Sequence, residues 1–117
     1  MTLNEYQIAM GRTTTHLTPA EKLKDGLYGI NGEAGECIDL LKKHEFQGHE
    51  LDPMELLDEL GDVLWYVAQV ATGLGVALEE VARHNLNKSY ERYPDGFDVN
   101  RSIHRPEYER EVNNGTC

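Results

Sequence analysis

Apolar residues recur at helical spacing in four stretches of this chain, and the first three open on a helix-start signature. Thr2-Leu3-Asn4-Glu5 has the form of a capping box, and Leu3, Tyr6 and Met10 follow on one face. Thr18-Pro19-Ala20-Glu21 repeats the form with proline at the first helical position, where its missing N–H costs nothing. Asp52-Pro53-Met54-Glu55 is a third instance. These signals predict helices from Leu3, from Pro19 to about Glu45, and from Pro53 to about Thr72. Gly73-Leu74-Gly75 closes the third, and a fourth runs from about Ala77 to Arg92, closed by Pro94. No stretch reads as a strand. The expected fold is all-α, an antiparallel bundle of about four helices, with residues 1–98 as one domain. Residues 99–117 form a polar extension, a loose tail from about Pro106.

Two of these helices have unusual surfaces. The second carries Gly26, Gly29, Gly32 and Gly35 at steps of three. Each costs about 1 kcal/mol relative to Ala in a helix interior. The row marks either a groove closely approached by a backbone or ligand, or a bend near Gly29–Gly32. The third is apolar around most of its girth, through Met54, Leu56, Leu57, Leu60, Val63, Leu64, Trp65, Val67, Val70 and Ala71. It is expected to be the central, most buried element.

Polar exceptions on those helices carry the chemistry. Glu33-Ala34-Gly35-Glu36 and Glu59-Leu60-Gly61-Asp62 each place two acids at i, i+3, on one helix face. Glu36 lies about 14 Å from its helix end and Glu59 about 9 Å from the start of the next, using 1.5 Å per residue. A short antiparallel hairpin therefore leaves the pairs offset by about 5 Å, close enough to face each other. A solvated acidic face is the plain alternative. Interleaving with Gly35, Cys37, Leu60, Gly61 and Val63 favours a bound cation instead, because like charges gathered on apolar helices need a counter-charge. Oxygen-only ligation points to Mg²⁺, with Mn²⁺ as a substitute.

Composition narrows the classes. The formal net charge is −10 over 117 residues, so a nucleic-acid backbone is not expected as a partner. A phosphate substrate needs a mediating metal. The longest apolar run, near Val63–Val70, is interrupted by Gln69 and too short for a bilayer, so no membrane partner is expected. No signal-peptide pattern opens the chain, and the cytoplasm is the expected location. Cys37 and Cys117 form no framework, and Cys37 is expected to fill core space.

No Glu is followed by His at i+3, which removes the carboxylate-bridged di-iron pattern. The five histidines lack zinc spacing, and no P-loop or Ser-His-Asp signature occurs. Asn85, Lys88 and Arg92 fall at i, i+3, i+7 on the fourth helix. That face suits phosphate oxygens, or simply balances an acidic surface.

Together these words resemble the MazG-like nucleoside triphosphate pyrophosphohydrolases. The family pattern Glu-x-x-Glu, spacer, Glu-x-x-Asp is met by Glu33, Glu36, Glu59 and Asp62, and the flanking Gly32 and Val63-Leu64-Trp65-Tyr66 also fit. Asn85, Lys88 and Arg92-Tyr93-Pro94 match near the end, and Asn4-Glu5-Tyr6-Gln7 is similar to compact, often phage-encoded members. One departure is Gly75-Val76-Ala77, where a Ser or Asp cap often precedes the fourth helix. The resemblance implies hydrolysis of a (d)NTP to monophosphate and pyrophosphate, by water attack at the α-phosphorus. It implies that the four acids hold Mg²⁺ and that one Glu takes the water's proton. Lys88 and Arg92 would steady the phosphates with Asn85 nearby, and Tyr66 would face the nucleoside. For Trp65, a nucleoside contact and a core role both stand. A homodimer or homotetramer is the implied assembly.

Two other readings use the same residues. One is a pyrophosphohydrolase for a modified nucleotide or phosphoribosyl-ATP on the same scaffold. The other is a non-catalytic, nucleotide-binding helical oligomer.

Overall fold

The computed structural model describes residues 1–105 and Tyr108. Five helices account for its regular structure: α1 (Leu3–Gly11), α2 (Pro19–Gln47), α3 (Pro53–Leu74), α4 (Leu78–Arg92) and α5 (Val99–His104). Among the described residues the one β-type contact is an isolated bridge between Pro94 and Gly96. The all-α expectation holds. The chain divides into two compact units, Met1–Glu79 and the part from Glu80 onward.

In the first unit the capping signals work as the sequence implies. Thr2 Oγ1 accepts from the Glu5 N–H while Glu5 accepts from the Thr2 N–H, and Thr18 and Glu21 repeat the exchange. Asp52 Oδ1 accepts from the Met54 N–H at 2.9 Å. Gly48 (φ 72°) and Gly75 (φ 73°) close α2 and α3 in the left-handed region, which glycine enters without Cβ strain.

α2 and α3 pack as an antiparallel hairpin, with α1 lying against α3. α2 is continuous across its glycine row, so the bend or break is not needed. The row is instead split in use. A Cβ on Gly26 would stand 2.6 Å from Val70 Cγ2, and one on Gly29 would enter the Tyr66 ring. A Cβ on Gly32 or Gly35 would meet nothing within 4 Å. At the same end, a Cβ on Gly73 would stand 2.8 Å from the Pro19 carbonyl oxygen.

Burial of α3 is confined to its last third. Ala68, Gln69 and Ala71 are buried, whereas Met54, Leu57, Leu60 and Leu64 are exposed. α3 holds more buried residues than any other described helix, as expected, but its first two-thirds stays largely uncovered within one chain. Among the described residues α2 and α1 make the main contacts with it, and a helix that is apolar nearly all round has more such surface than two neighbours can hide. The core unites Met10, Ala68 and Leu78 with the half-buried Tyr6, Trp65 and Val67.

Ala77, the residue before α4, has no polar side chain to accept from the first amides of the helix, and α1 supplies acceptors. Gln7 Oε1 accepts from the Leu78 N–H at 2.8 Å, and Asn4 Oδ1 accepts from the Glu79 N–H at 3.1 Å. Gln7 Nε2 also donates to Thr72 Oγ1 and the Val76 carbonyl. The unusual Gly75-Val76-Ala77 lead-in is thereby compensated, since orphan amides at a helix start need acceptors from somewhere.

In the second unit Arg101 Nη1 donates to the carbonyls of Glu91 and Arg92, at the end of α4, at 3.5 and 3.4 Å. Arg101 is held by α5, whose cap Asp98 accepts from the Arg101 N–H at 2.9 Å. This short helix falls where the sequence reads as polar extension. Its six residues are too few for an amphipathic period to declare itself. The loose tail from Pro106, and Cys117, lie outside the described residues except for Tyr108.

Candidate metal centre

Glu33 projects from α2, and Glu59 and Asp62 project from α3 one turn apart. One carboxylate oxygen from each lies within 4.8 Å of the other two. Glu33 and Glu59 are half-buried and Asp62 is exposed. Hairpin geometry thus brings together three of the four acids that the sequence singles out. Glu36 stands outside this set, exposed, yet its charge reaches Glu59.

The electrostatics are those of a site with negative charge in excess. Burial holds the Glu59 carboxyl above its ordinary value. The charges of Glu33 and Glu36, a hydrogen bond with Glu33, and the Asp62 charge push the same way. Neighbouring carboxylates this close cannot all ionise freely without a cation. The nearby Lys43 does not supply that charge, because its ammonium is paired with Asp39 at 2.7 Å. Three convergent oxygen donors, all carboxylate, fit a hard divalent ion such as Mg²⁺ or Mn²⁺.

Tyr66 lies one turn beyond Asp62, half-buried, its ring seated over the backbone at Gly29. Its hydroxyl is raised first by burial, then by the charges of Asp25, Glu33 and Asp62. Tyr6 of α1 is raised likewise, by burial and then by Asp62. Trp65 meets Tyr66 edge-on at 4.9 Å between centroids and packs on the core, so of the two roles left open the structural one describes it. Asn85, Lys88 and Arg92 share a face of α4 in the unit that begins at Glu80, with Lys88 and Arg92 half-buried and Asn85 exposed. The Arg92 guanidinium sits 5.8 Å from the Tyr93 ring centroid.

Sequence reasoning gave Tyr6 and Gln69 no site role and did not reach Asp25. Gln69 left a trace, as the polar interruption of the apolar run on α3. It is fully buried, and its Nε2 donates to Asp25 Oδ2 at 2.7 Å and to the Lys22 carbonyl at 3.2 Å.

Comparison with known proteins gives the family. The model of a MazG nucleotide pyrophosphohydrolase domain matches residues 22–97, a span that contains all four acids together with Asn85, Lys88 and Arg92. The Gene 37 protein of Mycobacterium phage L5 is 37% identical over 105 residues, covering 82% of this chain and 92% of that protein. No solved structure matched.

Proposed function

Because the chain belongs to the MazG nucleotide pyrophosphohydrolase family, we propose that it hydrolyses a (d)NTP to the monophosphate and pyrophosphate with Mg²⁺, or Mn²⁺ in its place. The observation that carries this reading is the convergence of Glu33, Glu59 and Asp62 within 4.8 Å across the α2–α3 hairpin. These three would hold the ion, with Glu36 completing the acidic set from the next turn of α2. A bound Mg²⁺ supplies neutralisation of charge building on the phosphoryl oxygens.

The remaining work falls to the side chains. A carboxylate of the set accepts the proton of the water that attacks the α-phosphorus. Lys88 and Arg92 offer charge-assisted donors to the phosphate chain, and Asn85 offers an amide. Tyr66 faces the nucleoside from the turn after Asp62.

The exposed apolar residues Ile38, Leu41 and Phe46 of α2 and Leu57, Leu60 and Leu64 of α3 support assembly into a homodimer or homotetramer. Apolar surface of that extent on a water-exposed chain calls for a partner. Among the described residues no single helix is long and apolar enough to cross a membrane. With a net charge of −10, we assign neither a membrane nor a nucleic acid as partner, and place the protein in the cytoplasm.

The test is hydrolysis of the canonical NTPs and dNTPs in ¹⁸O-water, with Mg²⁺ and with EDTA. The expected result is Mg²⁺-dependent release of pyrophosphate with the label in the monophosphate. Label in pyrophosphate, or release of orthophosphate alone, would contradict attack at the α-phosphorus.

A further inference from the structure

The α2–α3 hairpin is built in rungs about one helical turn apart: Gly26 faces Val70, Gly29 faces Tyr66, and Glu33 meets Asp62 in the metal centre. The first rung is ordinary core packing, with an aliphatic side chain filling the space at the glycine. The second is different. A Cβ on Gly29 would stand almost equally far from Cγ, Cδ1 and Cε1 of Tyr66, well inside van der Waals contact. Such a point lies above the flat of the ring, since a point beyond its rim would be much closer to the middle atom than to the other two. The ring therefore lies face-on against the backbone of α2, and the glycine is what admits it.

Stability alone does not call for this pairing. Glycine in a helix interior is worse than alanine, and a smaller side chain at position 66 would leave room for alanine opposite. Tyr66 is only half-buried, so its ring recovers part of what a core aromatic gains. What the pairing does achieve is a fixed ring. One face rests on main chain, which cannot rotate away as a side chain can, and Trp65 meets the ring edge-on at 4.9 Å between centroids. The charges of Asp25, Glu33 and Asp62 all reach its hydroxyl, so the fixed ring stands beside the metal centre, on its packed side. An aromatic held in advance loses less freedom when a ligand settles on it.

We propose that Gly29 is a positioning residue, which seats the Tyr66 ring so that it receives the nucleoside of a nucleotide whose phosphates lie at Glu33 and Asp62. Gly29 touches no substrate and acts through Tyr66. This assignment rests on the nucleotide-hydrolase reading above, in which Tyr66 faces the nucleoside, and adds what holds it there.

The test is steady-state hydrolysis of the canonical triphosphate turned over fastest, by wild type, Gly29→Ala, Tyr66→Ala and the double variant. Mn²⁺ binding to each is followed by electron paramagnetic resonance. Both single variants should raise KM by about tenfold, the worth of one stacked ring. Their kcat and Mn²⁺ affinity should stay near wild type, as when binding common to ground and transition states is lost. The double variant should show the KM of Tyr66→Ala, because the atoms nearest the added methyl are then gone. Wild-type KM in either single variant would overturn the proposal and leave the hydrolase reading standing. So would a joint fall in kcat and Mn²⁺ affinity in Gly29→Ala, which would mark Gly29 as setting the helix register instead. Should Gly29→Ala not fold, the double variant decides. A folded protein with the KM of Tyr66→Ala supports the proposal, and one that stays unfolded or raises KM further overturns it. If wild type hydrolyses no triphosphate, the hydrolase reading fails, and affinity for α,β-methylene dNTP analogues takes the place of KM. A loss of about tenfold in Gly29→Ala then supports the seat, and equal affinity, or no binding by wild type, overturns it.

Discussion

The two ends of the α2–α3 hairpin use the same pair of helices in opposite ways. Where α2 begins and α3 ends, the backbones touch: Gly73 lies against the Pro19 carbonyl and Gly26 against Val70, with Ala68, Gln69 and Ala71 buried beside them. Toward the loop at residues 48–52 the glycines at 32, 35 and 61 face open space, and Ile38, Phe46, Leu57 and Leu60 are exposed. The acids sit on this open side. Close packing at one end fixes the register of the helices. That register holds three carboxylates within 4.8 Å at the other, where no packing force would gather them.

The largest effect should come from breaking the acid set. Asp62→Asn should lower Mg²⁺-dependent turnover by roughly 100-fold or more, as loss of a transition-state charge contact does. Helix content by circular dichroism should be unchanged. Glu50→Gln, an acid outside the set, should leave turnover at the wild-type level. The closed end should fail differently. Gly73→Ala drives a Cβ onto the backbone of Pro19 and Leu23, and should cost about 1–3 kcal/mol in urea unfolding, the range for overpacking. Loss of activity there should follow loss of fold.

A comparable but local loss is expected for Gln7→Ala. Removing the acceptor for the Leu78 N–H should cost about 1 kcal/mol, the usual value of a helix cap. Hydrogen exchange of the first turn of α4 should accelerate.

A smaller effect separates the ends by pH. Because the native Glu59 carboxyl titrates above its ordinary value near 4.5, the native state keeps a proton that the unfolded chain has released. Stability of the metal-free protein therefore falls as pH rises from about that value through the raised native one. Below the window both states are protonated and the penalty is absent, so stability there is at its full value. Glu59→Gln should flatten this fall in a comparison of melting temperatures, and added Mg²⁺ should offset it in the wild type. Smallest of all, Gly32→Ala on the open face should raise stability by up to about 1 kcal/mol, the helix-propensity gain, since nothing stands in its way.

Much of this was legible in the residues. The capping words at Thr2 and Thr18 place α1 and α2 because local hydrogen bonding decides helix starts. The i, i+3 acids and the loop length bring the two acid pairs to the same level because rise per residue is fixed, although it is Glu33 rather than Glu36 that the structure gathers with Glu59 and Asp62. Other parts depend on partners far apart in sequence. That Gln7 and Asn4 cap α4, some 70 positions on, is set by how α1 lies on α3. The division of the glycine row into packed and open halves depends on Tyr66 and Val70. The incomplete burial of α3 reflects how many helices are at hand to cover it, which a period cannot state. Gln69 showed only as a polar break in an apolar run, and its grip on Asp25 appears once the helices are paired.

The central claim is that the open end of the hairpin holds a divalent cation against a nucleotide. Its most direct test is Mn²⁺ binding, followed by electron paramagnetic resonance, in the presence of an α,β-methylene nucleotide analogue. The account predicts saturable binding in the wild type, weakened by about tenfold or more in Asp62→Asn, as disruption of a metal site commonly is. Equal Mn²⁺ affinity in the two proteins would contradict it.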